Sequence, residues 1–444
     1  MDNHTAMGET VRDWLIASSE SPQSLSDMED KIRRALHWLG NIVLHLWLMS
    51  MTMRYPCKHR VCAHCEETSD YRGKRWSKFY TMFGVVRCRR AYYLCSHCHQ
   101  GHYPLDIELG LRPNAMSAEV ERLVAMVGVQ MPFAKGRDIF EELTLISLSD
   151  QSLDKASQAY GRESQQCEDE WLAEAVDSES LLQREREHPC PLRLYGAIDG
   201  GQVHIRGAEG EDHPWRELKV GSWFTAKGQP PKTPNGKWEI KAQNISYYAD
   251  IAPADEFGKI VWATGVQQNA HQAVELIFLG DGARWIWDLV THHFPDAVQI
   301  VDWFHACEYL APVAKVAFSS PQQRSDWIEQ VKTHLWEGEL DAVIAACTQY
   351  VNPQREKDPA QKAVTYFTNN RQRMHYPTYR ANGYQIGSGT IESAVKQIVT
   401  QRLKVSGARW DLQSARFVAK ARAAFLSEQW THLADRRKNL SKIA

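Results

Sequence analysis

Hydrophobic residues change their spacing twice along this chain. Residues 1–55 have a polar start and then a charge-free run, Leu36–Met53. That run has the length of a membrane span, but His37, Gly40, Asn41, His45, Ser50 and Thr52 interrupt it, so it predicts a buried or dimer-forming helix. From about Asp106 to Glu163 the period is again helical. MSAEVERLVAMVGVQM puts Val120, Leu123, Val124 and Val127 on one face; FAKGRDIFEEL follows, then SLSDQSLDKASQAYGRES after a turn at Ser147–Ser149. Three short helices, the last over Asp150–Gly161, have the outline of a helix-turn-helix. An acidic helix from Glu168 to Glu187 then predicts a linker or dimer arm that ends at His188-Pro189-Cys190-Pro191.

Beyond the two prolines the period shortens. LRLYGAID and QVHIRG predict two strands separated at Gly200-Gly201, WRELKVGSWF a third, and SYYAD a short fourth after a Pro/Gly/Lys loop. FGKIVWATGVQQ is helical, VELIFLGD is a buried strand, ARWIWDLVTHHF an aromatic helix and AVQIVD a further strand. A meander followed by alternating strands and helices predicts an α/β sheet. Asp199, Asp281 and Asp302 close three of these strands, the place where an open α/β sheet carries chemistry. From Ala306 to about Gly383 the chain is all helical and predicts an insertion. In Tyr384–Trp410 a glycine-broken loop runs into a helix, with Thr390 as its N-cap, Glu392 in its first turn and an apolar stripe at Ala394, Val395, Ile398, Val399 and Leu403.

Composition changes the picture little, since net charge is −2 over 444 residues. Its distribution matters more. Residues 54–104 carry ten Lys/Arg against three Asp/Glu, residues 392–444 eleven against four, and residues 161–190 three against nine. Two basic regions flanking an acidic one suit a protein that grips a polyanion at two places. Arg87, Arg89 and Arg90 in the first region, and Lys396, Arg402, Lys404, Arg409 and Trp410 in the second, are the candidate DNA contacts.

Six of the ten cysteines fall between Cys57 and Cys98. Cys62-Ala-His-Cys65 and Cys95-Ser-His-Cys98 are two C-x2-C knuckles 29 residues apart, joined by the strand-like GVVRCRRAYYL. Paired knuckles supply four thiolates for one structural Zn2+. Cys57, Cys88 and nearby histidines are alternative ligands. Disulfides are one rival, disfavoured without a secretory signal, and a redox dithiol the other, weakened by the presence of two knuckles and the lack of a thioredoxin-like context.

Asp199, Asp281 and Glu392 are ordered as strand end, strand end and helix start. Three such carboxylates hold two divalent ions, Mg2+ or alternatively Mn2+, for in-line phosphoryl displacement. The motifs AIDGG, FLGDGARWIW, IVDWFHACEYL and IGSGTIESAVKQIVTQRLKVSGARW resemble those of ISKra-type insertion-sequence transposases, which are related to the Mutator-like DDE transposases. The segment RRAYYLCSHCHQGHYPLDIELGL is similar to the region that precedes their catalytic domain. The resemblance covers roughly residues 56–430, with Ala408 where a bulkier Met is expected. It implies an RNase H-like catalytic domain with an all-α insertion, and a catalytic triad of Asp199, Asp281 and Glu392. Asp302 and His305 match a DxxH signature, with His305 placed to contact the scissile phosphate.

The expected organisation follows: a helical segment (1–55), a zinc ribbon (56–105), a helical DNA-binding region with an acidic linker (106–190), the catalytic domain in two parts (191–305 and 386–444) and the helical insertion (306–385). The expected activity is Mg2+-dependent cleavage and strand transfer of double-stranded DNA, transposon ends and target alike, by a homodimer or larger assembly. No membrane partner is expected, and the location is cytoplasmic and nucleoid-associated. A catalytically idle regulatory descendant and a stand-alone RNase H-fold nuclease are the rival readings.

Overall fold

A computed structural model describes residues 24–443, apart from 56, 112–114, 208–213, 238–239 and 388. The chain divides into two compact units, Met1–Ala156 with His432–Ala444, and Ser157–Thr431.

In the first unit the Ser24 hydroxyl accepts the Asp27 N–H and starts α1 (Leu25–Thr52). Along one face of α1, Asn41 donates to the Phe83 and Val85 carbonyls, and Gly40 admits the Phe83 ring, where a Cβ would lie 2.3 Å from it. The other face is open: Leu36 is 61% exposed and Leu46 62%. The expectation of a buried helix therefore holds for one face only, because a narrow sheet covers one side of a helix. That sheet is antiparallel in chain order, β1 (His59–Val61), β2 (Thr68–Thr81), β3 (Gly84–Cys95) and β4 (Gly101–His102). Phe79, Val86, Cys88 and Tyr93 alternate inward to meet Leu48, Tyr55 and Leu105. Four helices follow: α2 (Pro104–Leu109), α3 (Ala118–Gln130), α4 (Phe133–Thr144) and α5 (Asp150–Val176).

The helix expected to stop at Gly161 runs on to Val176, and α6 (Ser178–Glu187) begins only after Asp177, whose carboxylate accepts the Ser180 N–H at 2.8 Å. In the second unit the start of the acidic stretch packs inside the fold, where Glu168 is buried against Lys420, which also meets Asp250 at 2.9 Å; α6 buries none of its residues.

The second unit is built on a mixed sheet of order β7-β6-β5-β8-β9. β5 (Arg193–His204), β6 (Trp215–Lys227) and β7 (Lys241–Asp250) form an antiparallel meander; after α7 (Ala254–Gln267), β8 (Glu275–Gly280) returns parallel to β5. α8 (Arg284–His293) then leads to β9 (Val298–Val301), parallel to β8. Trp223 meets Phe278 and Phe294 edge-on at 5.2 and 5.6 Å in the core. The sequence predicts a break at Gly200-Gly201, yet β5 passes straight through. Each glycine makes room for a neighbour: a Cβ at Gly200 would lie 2.6 Å from Glu217, and one at Gly201 2.9 Å from Val399. Gly161 works likewise, since a Cβ there would lie 2.0 Å from the Phe417 carbonyl oxygen.

A helical stretch follows the sheet: α9 (Trp303–Glu308), α10 (Leu310–Ala317), α11 (Pro321–Trp336), α12 (Leu340–Thr348), α13 (Pro359–Asn369) and α14 (Tyr376–Ala381). The chain then returns to the sheet as α15 (Gly389–Val395), which continues as a π-helical segment, Lys396–Leu403, before α16 (Leu412–Leu426) and α17 (Trp430–Ile443). Thr390 lies inside α15 and does not cap it. Among the described residues no helix is long and apolar enough to cross a membrane.

Candidate functional site

The β2–β3 hairpin brings the two knuckles together. Cys62 Sγ lies 3.7 Å from Cys98 Sγ and Cys65 Sγ 3.6 Å from Cys95 Sγ, and all four sulfurs fall within 4.8 Å of one another. A tetrahedral ion about 2.3 Å from each sulfur would space the sulfurs by roughly 3.8 Å, so the cysteines fit Zn2+. The knuckle backbone prepares the ligands: the His97 and Cys98 N–H groups donate to Cys95 Sγ at 3.3 and 3.4 Å, and the His64 N–H donates to Cys62 Sγ at 3.4 Å. With the Cys98 N–H as the largest influence, the Cys95 thiol is pulled down to about 6. Of the alternative ligands, Cys88 packs in the hydrophobic core and Cys57 is exposed; neither joins the four.

In the second unit the acids are set by strand register. Ile198 pairs with Gly280 across β5 and β8, and Gly280 with Val301 across β8 and β9. Asp199, Asp281 and Asp302 each follow one of these residues and so occupy the next rung. Asp199 lies within the continuous β5, not at a strand end; β8 and β9 are what stop at this rung. Strand alternation puts Asp199 on the face of Gly201, the face covered by Val399 of the π segment. Glu392 stands in the first turn of α15, which packs on β5 and β6.

The local bonds separate the roles of these acids. Asp199 accepts the Gly200 N–H at 2.7 Å, and Asp281 accepts the Ala283 N–H at 2.8 Å in a tight turn through Gly282, whose φ is +95°. Asp302 is buried and caps α9 by accepting the His305 N–H. His305 is half-exposed, its Nδ1 3.5 Å from Glu308. Glu308 was not singled out in the sequence; its position three residues after His305 was the available signal.

Electrostatics ties the cluster together. Burial pushes Asp199 up to about 6; the Gly200 N–H opposes this, the charges of Asp281 and Glu392 add to it, and His305 offsets part. Glu392 is raised as well, by desolvation first and then by Asp302 and Glu308. Asp199 thus stands in the field of both Asp281 and Glu392. Their oxygens do not converge on one point, for among the described residues only the four cysteines bring three or more ligand atoms within 4.8 Å of one another.

The candidate DNA contacts divide by burial. Arg90 is buried in an ion pair with Asp106, its guanidinium 4.0 Å from the Tyr103 ring centre, and is not available to a phosphate. Arg402 is buried beside the Trp410 ring at 4.8 Å, and the Trp410 indole donates to the Leu403 carbonyl at 2.9 Å, so both hold the fold. Arg87, Arg89, Lys396, Lys404 and Arg409 are exposed or half-exposed. Cross-strand pairing sets Trp76 opposite Arg89 and Lys78 opposite Arg87, a cationic and aromatic face of which the sequence pointed only to the arginines.

The chain is therefore a mixed α/β protein with a cysteine cluster fit for zinc. No family model matches it, and no curated protein does. Among solved structures it has a likeness to a Drosophila P element transposase strand transfer complex at 9% identity and a TM-score of 0.23, covering 73% of this chain and 82% of that one. At that score the likeness carries no argument about fold or function.

Proposed function

We propose that this chain is a DNA transposase of the ISKra type, with an RNase H-like catalytic domain that cuts and joins DNA through a two-metal mechanism. The single observation that carries the reading is the rung shared by Asp199 and Asp281 on adjacent parallel strands, with Glu392 within electrostatic reach on a helix over the same sheet. The meander followed by parallel strands, with a helical stretch between β9 and α15, supports it too.

The donor set suits Mg2+: hard carboxylate oxygens whose repulsion His305 offsets only in part. Asp199, Asp281 and Glu392 would hold the ions. When bound, the ions supply charge neutralisation and an activated water or hydroxyl. The residues of the chain do the rest. Asp302 fixes the start of α9, which aims His305 toward the acids, and His305 donates to a phosphate oxygen. Hydrolysis breaks one phosphodiester and frees a 3′-hydroxyl; that hydroxyl then attacks a target phosphodiester, with a DNA 3′-oxygen leaving. Arg87, Arg89, Lys396, Lys404 and Arg409 supply phosphate contacts that position duplex DNA.

Joining two ends needs more than one copy. Leu25, Met28, Ile32, Leu39 and Leu46 follow heptad spacing on α1, and all but Leu39 are exposed, which supports pairing with a second copy. Sedimentation of the full chain as a monomer at micromolar concentration would remove that part.

The test of the whole is cleavage of labelled duplex DNA carrying the element's inverted repeats. Cutting and strand joining should require Mg2+ or Mn2+ and should disappear in Glu392→Gln while DNA binding persists. Cutting without joining would favour the stand-alone nuclease, and binding without either the regulatory descendant.

A further inference from the structure

The helical stretch between β9 and α15 encloses a groove of about 1540 Å3 with α8, larger than the ~300–1,000 Å3 of ordinary small-molecule pockets. Its walls combine apolar surface from Trp287, Tyr309 and Tyr366 with a dense set of charged groups. Arg284, Arg355, Lys357, Lys362 and Arg373 all face it, against Asp288, Glu308 and Asp358. Asp358 is engaged in the fold, accepting the Asn352 and Gln361 N–H groups at 3.0 and 3.2 Å, and its other oxygen lies 3.5 Å from Arg355. On α13, Gln361, Thr365 and Asn369 recur at four-residue spacing and turn a row of hydrogen-bonding groups into the groove. Lys357 holds a left-handed backbone, φ 58°, in the loop that forms the rim. At one end the groove reaches Gly282 and His305, the neighbours of Asp281.

From these residues we infer that the groove binds an unpaired nucleic-acid strand by its phosphates and leads it to the carboxylate rung. A row of cations with amide and hydroxyl groups between them suits a single backbone, whose charges recur along a line. Tyr309 is stacked on Tyr366 at 3.8 Å and carries Lys362 at 5.8 Å from its ring centre, so these aromatics stiffen the wall and leave recognition to charge. The inference rests on the proposed function in placing the strand beside the acids, and implies that the DNA next to the cut is opened into single strands.

The test uses the full chain, without divalent ion, and fluorescence anisotropy of a labelled oligothymidine and of a mixed-sequence duplex. Reversing three cations together (Arg355→Glu, Lys357→Glu, Lys362→Glu) should weaken single-strand binding at least about tenfold and flatten its salt dependence by about two units of slope. Duplex binding should stay as in the unaltered chain. The charge-neutral set (Arg355→Gln, Lys357→Gln, Lys362→Gln) should show a smaller loss in the same direction, and a pair that keeps the Arg355–Asp358 contact (Lys357→Glu, Lys362→Glu) should weaken strand binding while melting like the unaltered chain. If the oligothymidine does not bind, if neither set weakens it, or if duplex binding falls equally, the inference is overturned. Glu392→Gln should bind the oligothymidine normally. Loss of cutting in that variant, together with unaltered strand binding in the groove variants, would keep the proposed function and reject the groove.

Discussion

The cysteine cluster and the carboxylate cluster differ in how far each is prepared for metal. The four sulfurs lie within 4.8 Å of one another, held by knuckle N–H groups, whereas Asp199, Asp281 and Glu392 share a field without converging. Cys95 is pulled down while Cys65 and Cys98 are raised, so the cluster does not carry four charges before metal arrives and tolerates close packing. Ionised carboxylates repel, and their strands and helix keep them apart until a cation offsets the charge. The first arrangement suits a permanent structural ion. The second suits ions that arrive with a phosphodiester substrate.

The largest effect should fall on the chemistry. Glu392→Gln, Asp199→Asn and Asp281→Asn should each lower DNA cleavage by roughly a thousandfold or more, read in single-turnover assays, with duplex affinity retained. Comparable cutting in any one of them would break the comparison on the carboxylate side. On the other side, Cys65→Ser or Cys95→Ser should remove one zinc per chain by elemental analysis and lower the melting temperature. Zinc retained in full in both variants would contradict a four-cysteine centre.

A smaller effect distinguishes the centres by pH. The Asp199 carboxyl is raised from 3.8 to about 6, so folding disfavours its charge. That cost is absent below about 4, grows as pH rises and is complete above about 6. Without divalent ion, Asp199→Asn should therefore stabilise the protein by about 1–3 kcal/mol at pH 8 and by nothing near pH 4. Cleavage should also decline as pH falls through 6, because protons then compete with metal at Asp199; excess Mg2+ should move that decline to lower pH.

How much of this was legible in the sequence depended on the kind of signal. The cysteine knuckles and the acids closing β8 and β9 could be read because local spacing encodes them. The buried roles of Arg90, Arg402 and Trp410 could not, since a cation in a basic stretch reads alike whether solvent or a distant Asp106 meets it. Glycines misled in the same way. Gly161 and Gly200-Gly201 looked like stops but serve close approach to Phe417, Glu217 and Val399, partners remote in sequence. The π-helical turn after Glu392 left no pattern either, because its buried Ile398, Val399 and Leu403 also fit an ordinary helix.

A further contrast lies within one strand. Arg90→Ala would leave Asp106 buried alone, its carboxyl already raised to about 6 by burial, and should cost about 3–5 kcal/mol of stability in denaturant titration. Arg89→Ala should leave stability unchanged and reduce the salt slope of duplex binding by about one unit. Equal behaviour of the two variants would erase the distinction between fold-bound and DNA-facing cations.

Anomalous scattering from crystals of the full chain soaked in Mn2+ tests the central claim most directly. The account predicts manganese peaks bridged by Asp199, Asp281 and Glu392, lost in Asp281→Asn crystals. Manganese bound elsewhere, with those three carboxylates unoccupied at saturating ion, would contradict it.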